Sequence, residues 1–327
     1  MEGLMPTIED RAKLMAEGTL GRAEGACALE SHLALPAEWR GTCGPLLLVD
    51  VSPVSYIAAF RDGRKTAGKT QSALAAEISI AVKTYIRDMV GDVNPAACIL
   101  AFDSPVKTFR SGLLARYKAQ RAKKRSEYDE EQKKLNDARM EAVEGMWLAP
   151  ELRPGCNAMR KAGYEADDMI AVFVHALRVT PTGERMSARQ RIMVATSDKD
   201  LSQLLDFANV DVLDVGKRTY VTAKSFAQKE GYPPSLIPAL KAIAGDTSDN
   251  IPGIRDIGEK TALKFLRGSP LTDRERGLLE AGWADAEEYY DLVRLPFPGC
   301  SLKGCPFDAS LDPDDLFGPG GSEIMPF

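Results

Sequence analysis

The chain has 327 residues, 44% hydrophobic and 27% charged, enough for one large or two modest domains with a real core and unlike a disordered chain. No apolar run is long enough to span a bilayer, and the start MEGLMPTIEDRAKLMAEG is charged with no signal-peptide core, so the expectation is an intracellular protein without export or membrane insertion. A net charge of −5 would speak against a nucleic-acid partner if it were evenly spread, but where the acids lie matters more than the total.

Residues 1–44 carry a weak helical pattern through Ile8, Leu14 and Met15 and read as an extension packed on the domain. Leu46 to Asp50 is the clearest strand, an apolar run ended by an acid, and a helix is expected from about Pro53 to Phe60. A basic, glycine-containing loop follows at 61–71, then a helix from Ser72 to Val90 through Leu74, Ile78, Val82 and Ile86. Cys98 to Phe102 is a second buried strand, and it too ends in an acid, Asp103.

Arg110, Arg116, Lys118, Arg121, Lys123, Lys124 and Arg125 then cluster with Phe109, Tyr117 and Tyr128 interleaved. Bases among aromatics suit a surface that tracks a single-stranded backbone and stacks its bases. Lys123 to Lys134 taken alone reads as a solvated helix. Leu135 to Trp147 is helical in pattern and is ended by Pro150 and Pro154.

Five of the carboxylates between Gly163 and Asp200 flank predicted elements. Glu165, Asp167 and Asp168 precede the helical repeat Met169, Val172, Phe173 and Ala176, while Asp198 and Asp200 follow the buried run Ile192 to Ala195. A parallel sheet presents such groups at the carboxyl ends of its strands, so both sets can face one crevice, where hard divalent cations with oxygen ligands would offset their repulsion. The plainer reading makes Asp167 or Asp168 a helix cap and Ser-Asp-Lys-Asp a solvated turn.

Val210 to Val215 and Thr219 to Val221 are short strands, with a helix from about Pro234 to Ala244. In GDTSDNIPGIRDIGEKTALKFL, residues 245–266, Asp246 and Asp249 are three apart, so one helical turn puts them on one face. Gly253 and Gly258 flank a tight connection into a helix from Glu259, where glycines let backbone approach a phosphate and the helix amino end attracts an anion. Without the acids this would read as a helix hairpin. Two short helices are expected from Thr272 to Tyr290, and Asp308 to Phe327 holds five acids and no base, a flexible acidic tail. Cys300 and Cys305 are a possible zinc pair, but no second pair accompanies them, and His32 and His175 are the only histidines.

The blocks LLLVD, LAFD followed by TFR and YKAQR, GYEADD, TSDKDLSQLL and GDTSDNIPGIRDIGEKTA occur in that order over roughly Leu46 to Arg294. In combination they resemble the 5′ nuclease superfamily: bacteriophage 5′-exonucleases, flap endonucleases and the amino-terminal nuclease domain of bacterial DNA polymerase I. The resemblance implies an α/β fold with a mostly parallel central sheet and flanking helices. The nuclease domain would span 45–230 with a helical arch at about 104–155. A helix-three-turn-helix subdomain for duplex DNA would follow at 231–295, between the extension 1–44 and an acidic tail 296–327.

Carried over by motif, the first metal group is Asp50, Asp103, Glu165, Asp167, Asp168, Asp198 and Asp200, and the second is Asp246 and Asp249 with the 198/200 pair shared. Lys118 and Arg121 match the basic pair at the scissile phosphate, and Arg110 the arginine beside it. Gly253, Ile254, Ile257, Gly258 and Lys260 match the phosphate-binding turn, which in relatives also holds a potassium ion. Tyr117, Lys123, Lys124 and Lys69 are the further DNA contacts expected. The implied chemistry is two-metal hydrolysis of DNA with Mg2+, Mn2+ substituting, to give 5′-phosphates and 3′-hydroxyls. Substrates would be DNA with 5′ ends, flaps or single-stranded/duplex junctions, met with replication proteins during replication and repair in the cytoplasm of a bacterial or phage-infected cell. Val51 replaces the usual glycine after the first aspartate, and the extension has no counterpart in the polymerase domain. The nine acids account for −9 of the net −5, so the rest of the chain carries +4.

Two other classes compete. GRKTAGKT, residues 63–70, fits the phosphate-loop pattern of an ATPase, but that loop follows a strand, and the residues before Gly63 read as a helix. A non-catalytic DNA-binding module would be expected to have lost acids, and none is missing.

Overall fold

The computed structural model describes residues 7–16, 44–61, 64–149, 156–176 and 191–302. Most of the extension, Gly63, the 177–190 segment, Cys305 and the acidic tail beyond Leu302 lie outside them.

Strands β1 (Leu46–Asp50), β2 (Ala97–Ala101), β3 (Asn157–Met159), β4 (Ile192–Thr196), β5 (Val210–Asp214) and β6 (Thr219–Val221) form one sheet in the order β3-β2-β1-β4-β5-β6. All pairs are parallel except β5 with β6. Strands β1, β2 and β4 are buried along their whole length, which is why they read as unbroken apolar runs rather than alternating ones. The chain lays β2 and β3 to one side of β1 and returns to lay β4 on the other. The order therefore reverses between β1 and β4, and it is at the carboxyl ends of such a strand pair that an open parallel sheet forms its ligand crevice.

One face of the sheet is covered by α7 (Ala166–Ala176), whose Met169, Ile170 and Phe173 pack on Leu46, Leu48, Ile99 and Val194. The other is covered by α2 (Val51–Tyr56), α3 (Gln71–Val93) and α6 (Glu130–Leu148), which enclose Leu47, Val49 and Leu100. Between β2 and α6 the chain crosses the crevice through α4 (Phe109–Leu113) and α5 (Ala119–Ser126). After β6 come α8 (Ala223–Glu230), α9 (Ile237–Ala244), α10 (Glu259–Leu266) and α11 (Asp273–Val293). The last three build a separate apolar cluster around Trp283, Phe265 and Ile254. Helix α1 (Ile8–Ala16) belongs to that cluster and not to the sheet: Met15 is fully buried there, its carbonyl accepts from the Tyr290 hydroxyl at 3.0 Å, and Arg11 pairs with Glu287 at 3.0 Å.

Several elements differ from the sequence reading. Residues 273–293 are one helix and not two, because Leu279, Trp283, Ala286 and Tyr290 continue the buried spacing across the glycines. Gly282 lets α11 approach the turn before α10, since a Cβ there would meet Ile254 Cγ2 at 2.6 Å. The helix after β1 starts at Val51 and runs on as a π-helical turn, Ile57–Arg61. The short edge strand β3 carried no sequence signal.

Among the described residues no helix is long and apolar enough to cross a membrane.

Candidate functional site

Every expected carboxylate lies at or beside the crevice. Asp50 ends β1 and caps α2, accepting from the Ser52 amide at 3.2 Å. Its other oxygen accepts from the Thr196 hydroxyl at 3.0 Å, and that hydroxyl accepts in turn from the Asp198 amide at 2.9 Å. Thr196, which the sequence did not single out, thus ties the acids of β1 and β4 together. Asp103, two residues past β2, accepts from the amide of Ala166 at 3.0 Å and fixes the start of α7. Asp198 caps the 3-10 turn Lys199–Asp206 that carries Asp200.

The second group comes from the turn after α9. Asp246 and Ile251 exchange both backbone bonds at 2.8 Å, closing a small loop that holds Asp246 and Asp249. Ligand oxygens of Asp200, Asp246 and Asp249 all lie within 4.8 Å of one another, the only such group of acids, histidines or cysteines among the described residues. An all-oxygen set of carboxylates suits a hard divalent cation.

The electrostatics are those of crowded acids. Burial, then Asp103 and Asp198, pushes the Asp50 carboxyl well above its ordinary value. Burial and Asp168 do the same to Asp167. Asp200 is raised to about 6 by burial, against the pull of Lys241. Burial also works on Glu165, but Lys118 and Arg110 outweigh it and hold that carboxyl low.

Lys241 of α9 is the functional side chain that sequence reasoning missed. Its ammonium pairs with Asp200 and lies 2.6 Å from Asp246, joining the two acid groups where a cation is most needed. The signal was present: Lys241 stands five residues before Asp246, so the last turn of its helix aims it at the acidic loop.

Lys118 and Arg121 lie over the crevice. Lys118 Nζ is 2.7 Å from Glu165 and 3.9 Å from Asp249, and Arg121 Nη2 is 2.7 Å from Asp249. Lys118 has left-handed backbone, φ 55°, and its amide donates to the Asp249 carbonyl at 3.0 Å. That conformation costs a non-glycine residue about 1–2 kcal/mol, so the surrounding contacts hold it in place. Helix α5 has no buried residue, and Lys123 and Lys124 are exposed on it.

Other expected contacts are corrected by the packing. Tyr117 is not a stacking platform: it is 7% exposed, with its hydroxyl 3.2 Å from Glu165 and 3.3 Å from Asp249. Arg110 is 2% exposed, faces no open crevice and cannot reach a substrate. Asp168 is 1% exposed, and each of its oxygens already accepts twice. It therefore has no lone pair left for a metal ion. Ile254 and Ile257 are buried in the third cluster, and their amides already donate to the carbonyls of Ile243 and Ile254, so neither is free to bind a phosphate. Gly253 is left-handed at φ +66°, but a Cβ there would overlap the Gly245 backbone, so the glycine serves the packing of the acidic loop on itself. Gly258 and Lys260 at the amino end of α10 are exposed, with open space over Gly258.

The phosphate-loop alternative fails structurally. The segment before it is α2 and its π-helical turn where a strand is required, and Lys69 pairs with Glu77 at 2.7 Å.

A family model described as 5′-3′ exonuclease, N-terminal resolvase-like domain, matches residues 45–231. DNA polymerase I of Lactococcus lactis subsp. cremoris is 30% identical over 228 residues, 68% of this chain and 24% of that one, so the chain spans about a quarter of the polymerase. A 5′-3′ exonuclease of Bacillus subtilis is 29% identical over 253 residues, covering 71% of this chain and 78% of its own. Among solved structures, the T5 5′-exonuclease with bound zinc superposes with a TM-score of 0.60 at 21% identity, covering 77% of this chain and 90% of that one. The bacteriophage T5 flap endonuclease in a pseudo-enzyme-product complex with DNA and metal ions gives 0.61 at 21%, covering 77% and 89%. At that identity the likeness speaks for the fold.

Proposed function

Since the chain belongs to the 5′-3′ exonuclease family, we propose that it is a divalent-metal-dependent nuclease that hydrolyses DNA from 5′ ends, at flaps, or both. The observation that carries this reading is the meeting of Asp200, Asp246 and Asp249 within 4.8 Å beside the remaining crevice acids. Nine carboxylates face four bases, Arg110, Lys118, Arg121 and Lys241, which leaves five uncompensated negative charges when all ionise. Two Mg2+ ions, or Mn2+ in their place, would offset four of them, held chiefly by Asp50, Asp103, Glu165, Asp167, Asp198, Asp200, Asp246 and Asp249. Bound there, such ions make a water easier to deprotonate and stabilise charge on the phosphoryl group in flight.

The chain's own side chains do the rest. Lys118 and Arg121 hold positive charge over the crevice where an incoming phosphate would gain negative charge. The bases of α5 track a single strand passing under the 104–129 crossing. Gly258, Lys260 and the free amides at the start of α10 meet the duplex phosphates, and a potassium ion there would bind the backbone carbonyls of the same turn. On this reading residues 231–295 form the duplex-binding subdomain.

The test is a Mg2+-dependent digest of internally labelled flap and duplex DNA with free or blocked 5′ ends, read by product size. Asp198→Asn and Asp246→Asn should each abolish most cleavage and leave DNA binding in chelator intact. Full activity in either variant would remove the metal assignment.

A further inference from the structure

Arg110 and Asp168 stand out because neither has anything left to offer a substrate or an ion. A guanidinium has five N–H donors, and here Nε donates to the Leu292 carbonyl at 2.8 Å, Nη1 to Asp168 and to Glu165 at 3.4 Å, and Nη2 to Asp168 at 2.7 Å and to the Arg294 carbonyl at 3.4 Å. Asp168 accepts from both terminal nitrogens and also from the amides of Glu165 at 3.2 Å and Phe297 at 2.8 Å. The Phe297 ring closes over the guanidinium at 5.1 Å. Three separated pieces of chain meet at this pair: the foot of the crossing at α4, the amino end of α7 that carries Glu165 and Asp167, and the segment leaving α11.

We propose that Arg110 and Asp168 form a latch that fixes the foot of the 104–129 crossing against α7 and the end of α11, so that Arg110 is a positioning residue for Lys118 and Asp168 serves it instead of a metal ion. The path from latch to Lys118 is short and bonded throughout. The Phe109 amide donates to the Gly163 carbonyl at 2.9 Å, Leu114 to Arg110 at 3.0 Å, Tyr117 to Leu114 at 2.8 Å and Lys118 to Asp249 at 3.0 Å. A shift at Arg110 therefore moves the ammonium that sits over Glu165. A bidentate pair in a dry site suits this role, because its planar geometry fixes orientation as well as distance.

The proposal rests on the nuclease reading for its consequence in turnover, and two measurements keep it separate from that reading. The first is Mn2+ binding to the full chain by calorimetry: Asp168→Asn should bind the same number of ions as the parent, whereas Asp200→Asn should lose one. If Asp168→Asn also loses an ion, Asp168 is a ligand and the latch assignment falls. Because an amide facing four N–H donors can prevent folding, the second measurement uses Arg110→Lys, which keeps the charge and gives up the fork. Hydrogen exchange of the 109–118 amides should be about tenfold faster or more in this variant while the β1 and β4 amides stay protected. Unchanged exchange at 109–118 would overturn the latch even if the protein were no nuclease at all. In the nuclease assay Arg110→Lys should lower kcat by about a hundredfold, the loss typical of a displacement of about 1 Å, with the KM for DNA nearly unchanged. A change in KM alone would mean that Arg110 binds DNA and does not position Lys118.

Discussion

Replacing Lys241 by methionine tests whether its ammonium stands in for a divalent cation. Methionine keeps the unbranched, flexible side chain as far as Cε and removes the ammonium with its charge and its donors. In the parent protein the side chain is 21% exposed and bridges Asp200 and Asp246, which are 15% and 11% exposed. Losing one partner of a fully buried ion pair costs about 3–5 kcal/mol, and a surface pair costs under about 1 kcal/mol. A site between these limits, in which Asp200 can relieve itself by taking up a proton, should lose about 1–3 kcal/mol at pH 7 in chelator. Excess Mg2+ should restore most of the loss, since ligand at a hundred times its Kd stabilises by about 2.7 kcal/mol. Mg2+ should also bind Lys241→Met more tightly than the parent, because no ammonium has to leave. The assay is urea unfolding followed by circular dichroism, with EDTA and with Mg2+. Equal stability of parent and variant in EDTA, or no recovery with Mg2+, would refute the reasoning.

Gly253→Ala forces a side chain into left-handed backbone and into the Gly245 backbone, and should cost about 2–4 kcal/mol in urea unfolding and weaken divalent binding; a neutral result would mean the acidic loop has slack that the packing denies. Lys118→Ala should lower the single-turnover rate about a hundredfold with a smaller change in DNA affinity, and an unchanged rate at saturating enzyme would count against its place over the reacting phosphate. In chelator the protein should become more stable as pH falls from 7 towards 5. The folded state holds protons on Asp50, Asp167 and Asp200 that the unfolded chain releases, and for Asp200 that stability is lost as pH rises through about 6. Mg2+ at pH 7 should flatten this dependence, and urea midpoints across the range would show it. Lys69→Ala should leave Mg2+-dependent cleavage without ATP, with at most a modest, salt-sensitive loss of affinity; ATP hydrolysis that disappears together with cleavage in this variant would reinstate the phosphate-loop reading.

The parts of the fold legible in the sequence were those where one local signal suffices. Unbroken apolar runs ending in Asp50, Asp103 and just before Asp198 gave the central strands and their acids, because a doubly covered parallel sheet allows little else. What a side chain faces is set by packing across the chain and was not legible. Tyr117 and Arg110 looked like an aromatic and a base in a basic segment, and only the approach of α11 and α7 buries them. Gly253 announces a tight turn, but whether a phosphate or backbone lies against it depends on how the loop folds on itself. Lys241 sits on an apolar helix five residues before Asp246, but nothing nearby in sequence names its other partner, Asp200, 41 residues back.

The reach of these contacts along the chain sets the order in which the protein can be built. Met15 is tied to Tyr290 across 275 residues and Arg110 to Leu292 across 182, so the docking of α1 and the foot of the crossing both wait for the far end of the chain. Loops of that size close late, after local helices and the inner strands have formed. A chain leaving the ribosome amino end first carries Asp50 and Asp103 long before it has Asp246, Asp249 or the Leu292–Phe297 segment. A nascent or truncated chain should therefore be inert, with cleavage beginning only once the chain has emerged through Phe297.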